Sequence, residues 1–395
     1  MADGDTPAPF GDSSGDNPFA NVPMFGEFAK MLAGQGPLNW DAARQFASLA
    51  SSNGASEPNV DPTVRIQLTE LARILELHVH DLTGLDTAFP EISPVSRGVW
   101  AQRTLDAYRP LFNELATSLG KRPTADDGDA DPMMAMMAGL SQMMGPSMMG
   151  MAVGSMVGRM AARTFGQYDL PIPRSDSTLL VVPANIDSFA ADWSLPVDEM
   201  RLWVLAQELT GHTLFSITSL RDQLAGMVRR YVGAFQPDPS AVAERLSEFE
   251  TDGIGDPAQA LQQLLGDPAV LLGAVQGPEQ QSLAPSLDAA VAAVVGYVDY
   301  LVDSVAVRVI GGDALRIAEA VRRRRVEVSP DDVFVERLLG LHLTNEQVQR
   351  GKAFAGGVVD RVGEAGLTQL FTKPSALPTP AEIEAPGLWI ARLEL

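Results

Sequence analysis

Trp203-Val204-Leu205-Ala206-Gln207-Glu208-Leu209-Thr210-Gly211-His212-Thr213-Leu214-Phe215 is the stretch on which the reading of this chain turns. Ser194-Leu195-Pro196 introduces it as a helix. Four of its side-chain positions carry chemistry: Gln207, Glu208, Gly211 and His212. Glu208 and His212 lie four residues apart and so share one helical face.

The spacing is that of the zinc-binding pattern His-Glu-x-x-His. There, two imidazoles one turn apart hold the metal and the adjacent Glu activates the metal-bound water. Gln207, Glu208 and Gly211 stand in those places. The carboxylate is kept, an amide replaces one imidazole, and a residue without a side chain replaces the other.

The surroundings strengthen the comparison. Upstream lie Gly166-Gln167-Tyr168-Asp169-Leu170-Pro171, Leu179 to Ile186, and Asp192-Trp193-Ser194-Leu195-Pro196. Downstream lie Gly296-Tyr297-Val298-Asp299-Tyr300, Gly351-Lys352-Ala353-Phe354 and Pro386-Gly387-Leu388-Trp389-Ile390-Ala391-Arg392. Together, from about Asn39 to the C-terminus, these segments resemble a bacterial zincin-like metallopeptidase family. That family also carries the labels "putative hydrolase" and "coenzyme F420 biosynthesis-associated".

The resemblance implies a mainly α, multi-helix zincin-like fold with a short β element, preceded by a small helical subdomain. In that family the intact helix reads His-Glu-x-Thr-His, and a later helix carrying Glu-Gly-x-x-Asp supplies a third ligand. Here the later segment reads Val295-Gly296-Tyr297-Val298-Asp299. The implied ligand positions are therefore Gln207, Gly211 and Val295, with Glu208 as a vestigial general base. Loss of a single outer partner costs a zinc site roughly 10–100-fold in affinity, so no zinc and no other cofactor is expected. The implied function is a binding or scaffold module for a peptide or protein segment. No deazaflavin site is recognisable in these residues.

An alternative keeps the chemistry. Glu208 and His212, joined by Asp299 or Asp303, form a donor set suited to zinc, iron or manganese, and would make the protein a metal-dependent hydrolase with a remodelled site. Without a metal, a buried Glu208 needs another partner, which His212, Gln207 or Arg201 can supply. In that case Glu208 and His212 pair and Gln207 bonds across the cleft. The remaining histidines, His78, His80 and His342, form no zinc-ligand pair.

Composition bounds the rest. The chain has 395 residues, 46% of them hydrophobic and 20% charged, and no cysteine, which removes thiolate chemistry and disulfides and fits a cytoplasmic location. Its 50 acidic and 29 basic residues give a formal charge of −21, which disfavours nucleic acid and anionic lipid as partners. The run Arg322 to Arg325 reads as a solvated helix end, the alternative being contact with phosphate or a carboxylate-rich partner. Met1 to Asn21 has neither a basic nor an apolar leader region, so no ordinary signal peptide is expected.

Residues 1–37 read as a disordered acidic segment, 38–121 as the helical subdomain, 122–132 as a linker and 133–395 as the zincin-like domain. Within the subdomain, Asn39 caps a first helix, Asp61-Pro62 opens a second with Val64, Leu68, Leu71, Leu75, His78 and Leu82 on one stripe, and a third runs from Trp100 to Leu119. Residues 133–160 hold eleven of sixteen methionines. Gly145-Pro146 interrupts this stretch, which reads as a buried hairpin rather than a membrane span. Gly150, Gly154 and Gly158 form a flat strip for close helix packing. Thr178 to Val182 is the clearest strand, Leu287 to Val309 is a central helix, and the proline-rich tail wraps the surface with Trp389 as anchor.

Overall fold

The computed structural model describes residues 36–395 except 53, 86, 121–131, 175–176, 238–273, 276, 327–337, 342 and 374; at 132–143, 236–237 and 274–275 it describes the backbone alone. The 1–37 segment, the 122–132 linker and His342 fall almost wholly outside the described residues.

The first half begins with α1 (Trp40–Ser51) and α2 (Pro62–Thr83). Asn39 caps α1 by accepting the N–H groups of Asp41 and Ala42, and Asp61 caps α2 by accepting that of Thr63. Gly84 ends α2 in the left-handed conformation at φ 63°. β1 (Glu91–Pro94) leads into α3 (Arg97–Ala107) and α4 (Arg109–Leu119). These two helices replace the single one expected from Trp100 to Leu119. Pro110 has no N–H for a continuous helix, so the run breaks at Tyr108 and restarts with the proline in its first turn.

α5 (Pro132–Arg163) is one 32-residue helix where a hairpin was expected. Pro146 removes a single helical hydrogen bond without turning the chain, and the neighbouring helix stabilises the region. Asn39 N–H donates to the Pro146 carbonyl at 2.8 Å. Beyond that point the glycine strip forms the seam with α1. A methyl at Gly150, Gly154 or Gly158 would lie 2.3, 2.2 or 2.6 Å from the carbonyl oxygens of Asn39, Ala43 and Ala47.

β2 (Thr178–Val181) pairs in parallel with β1, Ile92 opposite Leu179. Its other edge meets Gly166 in an isolated antiparallel bridge to Val181. α6 (Pro183–Asp192), α7 (Val197–Phe215) and α8 (Thr218–Gly233) follow. α7 carries the opening stretch, and every residue from Trp203 to Phe215 is buried. A helix apolar on nearly all sides belongs in the middle of a core.

A two-residue antiparallel pair, β3 (Gln236–Pro237) with β4 (Ala274–Val275), precedes α9 (Pro278–Val309). α9 is long and apolar enough to cross a membrane, and 72% of its apolar window is buried inside the protein, as in a core helix. It crosses α11 (Asn345–Leu367) at bare backbone. A methyl at Gly296 would sit 2.2 Å from Gly351 O, and one at Gly351 would sit 2.1 Å from Ala292 O. α10 (Ala314–Val326) packs back towards α7 and α9.

The tail carries three short helices, α12 (Gln369–Thr372), α13 (Pro380–Glu384) and α14 (Pro386–Leu393). Pro380 and Pro386 start helices, where a missing N–H costs nothing. Trp389 is fully buried and donates to Ala376 O at 2.6 Å. One hydrophobic core runs from Leu38 to Leu393. The N-terminal helices share that core through α2 against α7 and β1 against β2.

Candidate functional site

α7, α9, α10 and the 164–171 segment meet around the positions singled out from the sequence. Gln207, Gly211 and Phe215, each one turn after the last, present one face of α7 to a cleft whose opposite wall includes Val295 and Asp299 of α9. The three implied ligand positions thus converge. The cleft has a volume of about 30 Å³, room for roughly two waters.

Protein groups take up the space. The Arg325 guanidinium donates to both oxygens of Asp299 at 3.2 Å and to Gln207 Oε1 at 3.4 Å. The other end of the Gln207 amide donates to Asp169 Oδ1 at 3.4 Å. Arg322 binds Asp303 at 2.6 Å and reaches Asp299 at 3.5 Å. Arg324 binds Asp169 Oδ2 at 3.1 Å and the Arg163 carbonyl, and stacks 3.5 Å from the Phe165 ring centroid. The arginine run is therefore no solvated helix end. Three of its members are bound to carboxylates, and Arg323 lies over Trp193 at 5.8 Å.

Gly211 faces Tyr168. A Cβ at 211 would lie 2.9 Å from Tyr168 Cγ and 3.0 Å from Cβ and Cδ2, so the phenol ring fills the volume that a side chain there would need. Tyr168 is itself nearly buried, which raises its hydroxyl pKa well above the usual tyrosine value.

Glu208 is wholly buried and turns to the backbone of the 164–171 segment. Gln167 N–H donates to Oε2 at 2.7 Å, and Tyr168 N–H to Oε2 at 2.9 Å and Oε1 at 3.2 Å. The approach requires glycine at 166, where a Cβ would lie 2.3 Å from the Glu208 carboxyl carbon. Burial pushes the Glu208 pKa well up, the Asp169 charge adds to the rise, and the two backbone N–H groups counter it.

His212 makes no pair with Glu208. Burial pulls its pKa down, and a hydrogen bond with the Ala88 backbone partly offsets this. Its Nδ1 has no partner among the described residues. Arg201, the other candidate partner, binds Asp187 in a two-pronged pair at 2.8 and 3.0 Å and also Gln67. The four residues of the alternative site are thus dispersed: Glu208 on backbone, His212 towards Ala88, Asp299 and Asp303 on arginines. Gln207 does bond across the cleft. Sequence reasoning missed the partners of these residues, Arg322 and Arg325 above all; an arginine run on an otherwise acidic chain was the available signal.

A family model described as zincin-like metallopeptidase matches residues 38–390. Among solved structures, one from Chloroflexus aurantiacus, described as "a putative hydrolase with a novel fold", is similar at 21% identity with a TM-score of 0.59, covering 90% of this chain and 99% of that one. At that identity the likeness is one of fold. No curated protein matches the chain.

Proposed function

This chain belongs to the zincin-like metallopeptidase family, and we propose that it is a member without zinc chemistry, its cleft closed by its own arginine, serving as a binding or scaffold module for a peptide or protein segment. One observation carries the proposal: the Arg325 guanidinium lies between Asp299 and Gln207, the latter one of the three implied ligand positions.

Zinc takes three or four N, O or S donors at about 2.0–2.3 Å. Gln207 has both ends of its amide engaged, Gly211 offers no donor and abuts an aromatic ring, and Val295 is an alkyl group. A divalent cation would also meet the positive charge of Arg325. Zinc does not fit these residues. Glu208 supports the same reading, because a general base must reach the proton that it takes, and both of its oxygens are held in the core by main-chain N–H groups. The remaining cleft is water-sized, so a partner segment docks on the outside of the protein.

The description of the Chloroflexus protein favours a second reading, a hydrolase built on Glu208, His212, Asp299 and Asp303. Against it, no group of three or more His, Asp or Glu side chains is placed to hold a metal among the described residues. Metal content per chain separates the two. Protein purified without a metal-affinity tag and dialysed against trace zinc is expected to hold far less than one zinc per chain and to show no chelator-sensitive peptidase. Near-stoichiometric zinc, lost in Glu208→Ala or His212→Ala, overturns the proposal.

A further inference from the structure

A cavity of about 270 Å³ lies between α7, the last turns of α2, Leu85 and the stretch Thr87 to Pro90. Leu209 and Thr213 of α7 line it, whereas Gln207 and Gly211 line the cleft. An offset of two residues is about 200° of helical rotation, so the cavity and the cleft lie on opposite faces of one helix. The cavity is slightly smaller than typical ligand pockets, which run from about 300 Å³ upward, and so suits a small ligand.

We propose that this cavity binds a primary ammonium group carried on a small apolar body. Val79, Leu85 and Phe89 supply apolar walls beside Leu209, with the exposed Leu77 at the rim. Two polar side chains supply acceptors. His80 Nδ1 faces the Leu85 carbonyl at 3.1 Å. A carbonyl only accepts, so Nδ1 carries the hydrogen and Nε2 of the neutral ring is left as an acceptor. Glu76, one turn earlier on α2, adds a carboxylate, which when ionised only accepts.

The Thr87 hydroxyl donates to that of Thr213 at 3.5 Å, and among the described residues no Lys or Arg lines the cavity. The cavity also sits at the C-terminal end of α2, whose carbonyls carry the negative pole of the helix. Apolar walls with a carboxylate, an imidazole acceptor and a helix C-terminus select a cation that donates hydrogen bonds and has a hydrocarbon attached. The wall facing α7 is built, not incidental: Gly84 N–H bonds His80 O at 2.8 Å, and the Ala88 backbone bonds the ring of His212. This site does not depend on the zinc-free reading, because it stands on the other face of α7.

The test uses the full chain with labelled Leu and Val methyls. Phenethylammonium is titrated, with phenylacetate as the charge-reversed control, and a dipeptide amide with a free N-terminal Leu is compared with its acetylated form. Saturable shifts of the Leu77, Val79, Leu85 and Leu209 methyls are expected with phenethylammonium and not with phenylacetate. Glu76→Gln is expected to weaken binding by about tenfold or more, the loss of one charge-assisted hydrogen bond. Thr87→Trp, which fills the cavity from its rim, is expected to abolish binding; if that variant does not fold, Glu76→Gln decides. Binding of the free but not the acetylated dipeptide assigns the ammonium to a peptide terminus, and binding of phenethylammonium alone assigns it to a small amine. No saturable shift with either ammonium, an equal response to phenylacetate, or unchanged affinity in Glu76→Gln overturns the proposal.

Discussion

Restoring the family's ligands, by Gln207→His, Gly211→His and Val295→Glu together, is expected to leave zinc binding weak, and the structure gives the size of the deficit. A zinc held by residue 207 would lie about 5 Å from the Arg325 guanidinium, which now contacts the Gln207 amide at 3.4 Å. At an effective dielectric of about 20, a double and a single positive charge at about 5 Å repel by about 7 kcal/mol. That is roughly half of what a structural zinc site contributes on binding, about 10–16 kcal/mol. If the guanidinium retreats to about 10 Å the figure is still about 3 kcal/mol, more than a hundredfold in affinity. The imidazole at 211 must in addition displace the Tyr168 ring, because its Cβ would start 2.9 Å from Cγ; overpacking of this kind costs about 1–3 kcal/mol. The assay is competition with a zinc-chelating dye, with thermal unfolding as a check on folding. The triple variant is expected to bind at least about a hundredfold more weakly than the same variant carrying Arg325→Ala, and Tyr168→Ala is expected to tighten binding further. Equal zinc affinity with and without Arg325 would refute the reasoning.

Three further outcomes follow from packing and protonation. Glu208→Ala leaves the buried N–H groups of Gln167 and Tyr168 without an acceptor and is expected to cost roughly 2–6 kcal/mol in denaturant unfolding, at about 1–3 per orphaned group; unchanged stability counts against the bonding described. Because the Glu208 carboxyl has its pKa raised in the fold, the native state holds that proton more tightly than the unfolded chain. Its contribution is full below the ordinary value of 4.5 and is lost as pH climbs through the raised value, so Glu208→Gln should flatten that decline. His212 acts oppositely. Its lowered pKa gives a contribution present above 6.5 and lost as pH falls, which His212→Phe should remove. Gly154→Ala puts a methyl 2.2 Å from Ala43 O and should destabilise by about 1–3 kcal/mol. Gly226→Ala in α8, with open space around it, should stabilise that helix by roughly 0.5–1 kcal/mol, and equal effects at the two positions would show that the α1–α5 seam is looser than described.

What was legible in the sequence is what depends on local pattern. Asn39, Asp61-Pro62 and Gly84 mark helix ends through their own chemistry, and Leu68 and Leu75 fall on the buried stripe of α2. The glycine strip in α5 announced a close helix partner, and the run from Thr178 to Val182 announced β2, whereas its partner β1, only Glu91-Ile92-Ser93-Pro94, was too short and too proline-bound to stand out. Pro146 misled because its role depends on tertiary neighbours: it sits inside a helix where a break was expected. At the candidate site, the convergence of Gln207, Gly211 and Val295 was readable from the resemblance. Their new contacts were not, because Arg325 and Tyr168 come from segments 118 and 39 residues away from Gln207, and nothing in local spacing ties them to it.

The Arg325 guanidinium differs from a metal ion in one respect beyond geometry: it is covalently part of the chain. A bound ion contributes stability that grows with the logarithm of its free concentration over its dissociation constant, so a metalloprotein inherits the fluctuations of its supply. A tethered cation has a fixed local concentration and no dissociation step. The charge that balances Asp299 is made with the protein, arrives when α10 docks against α9, and leaves only on unfolding.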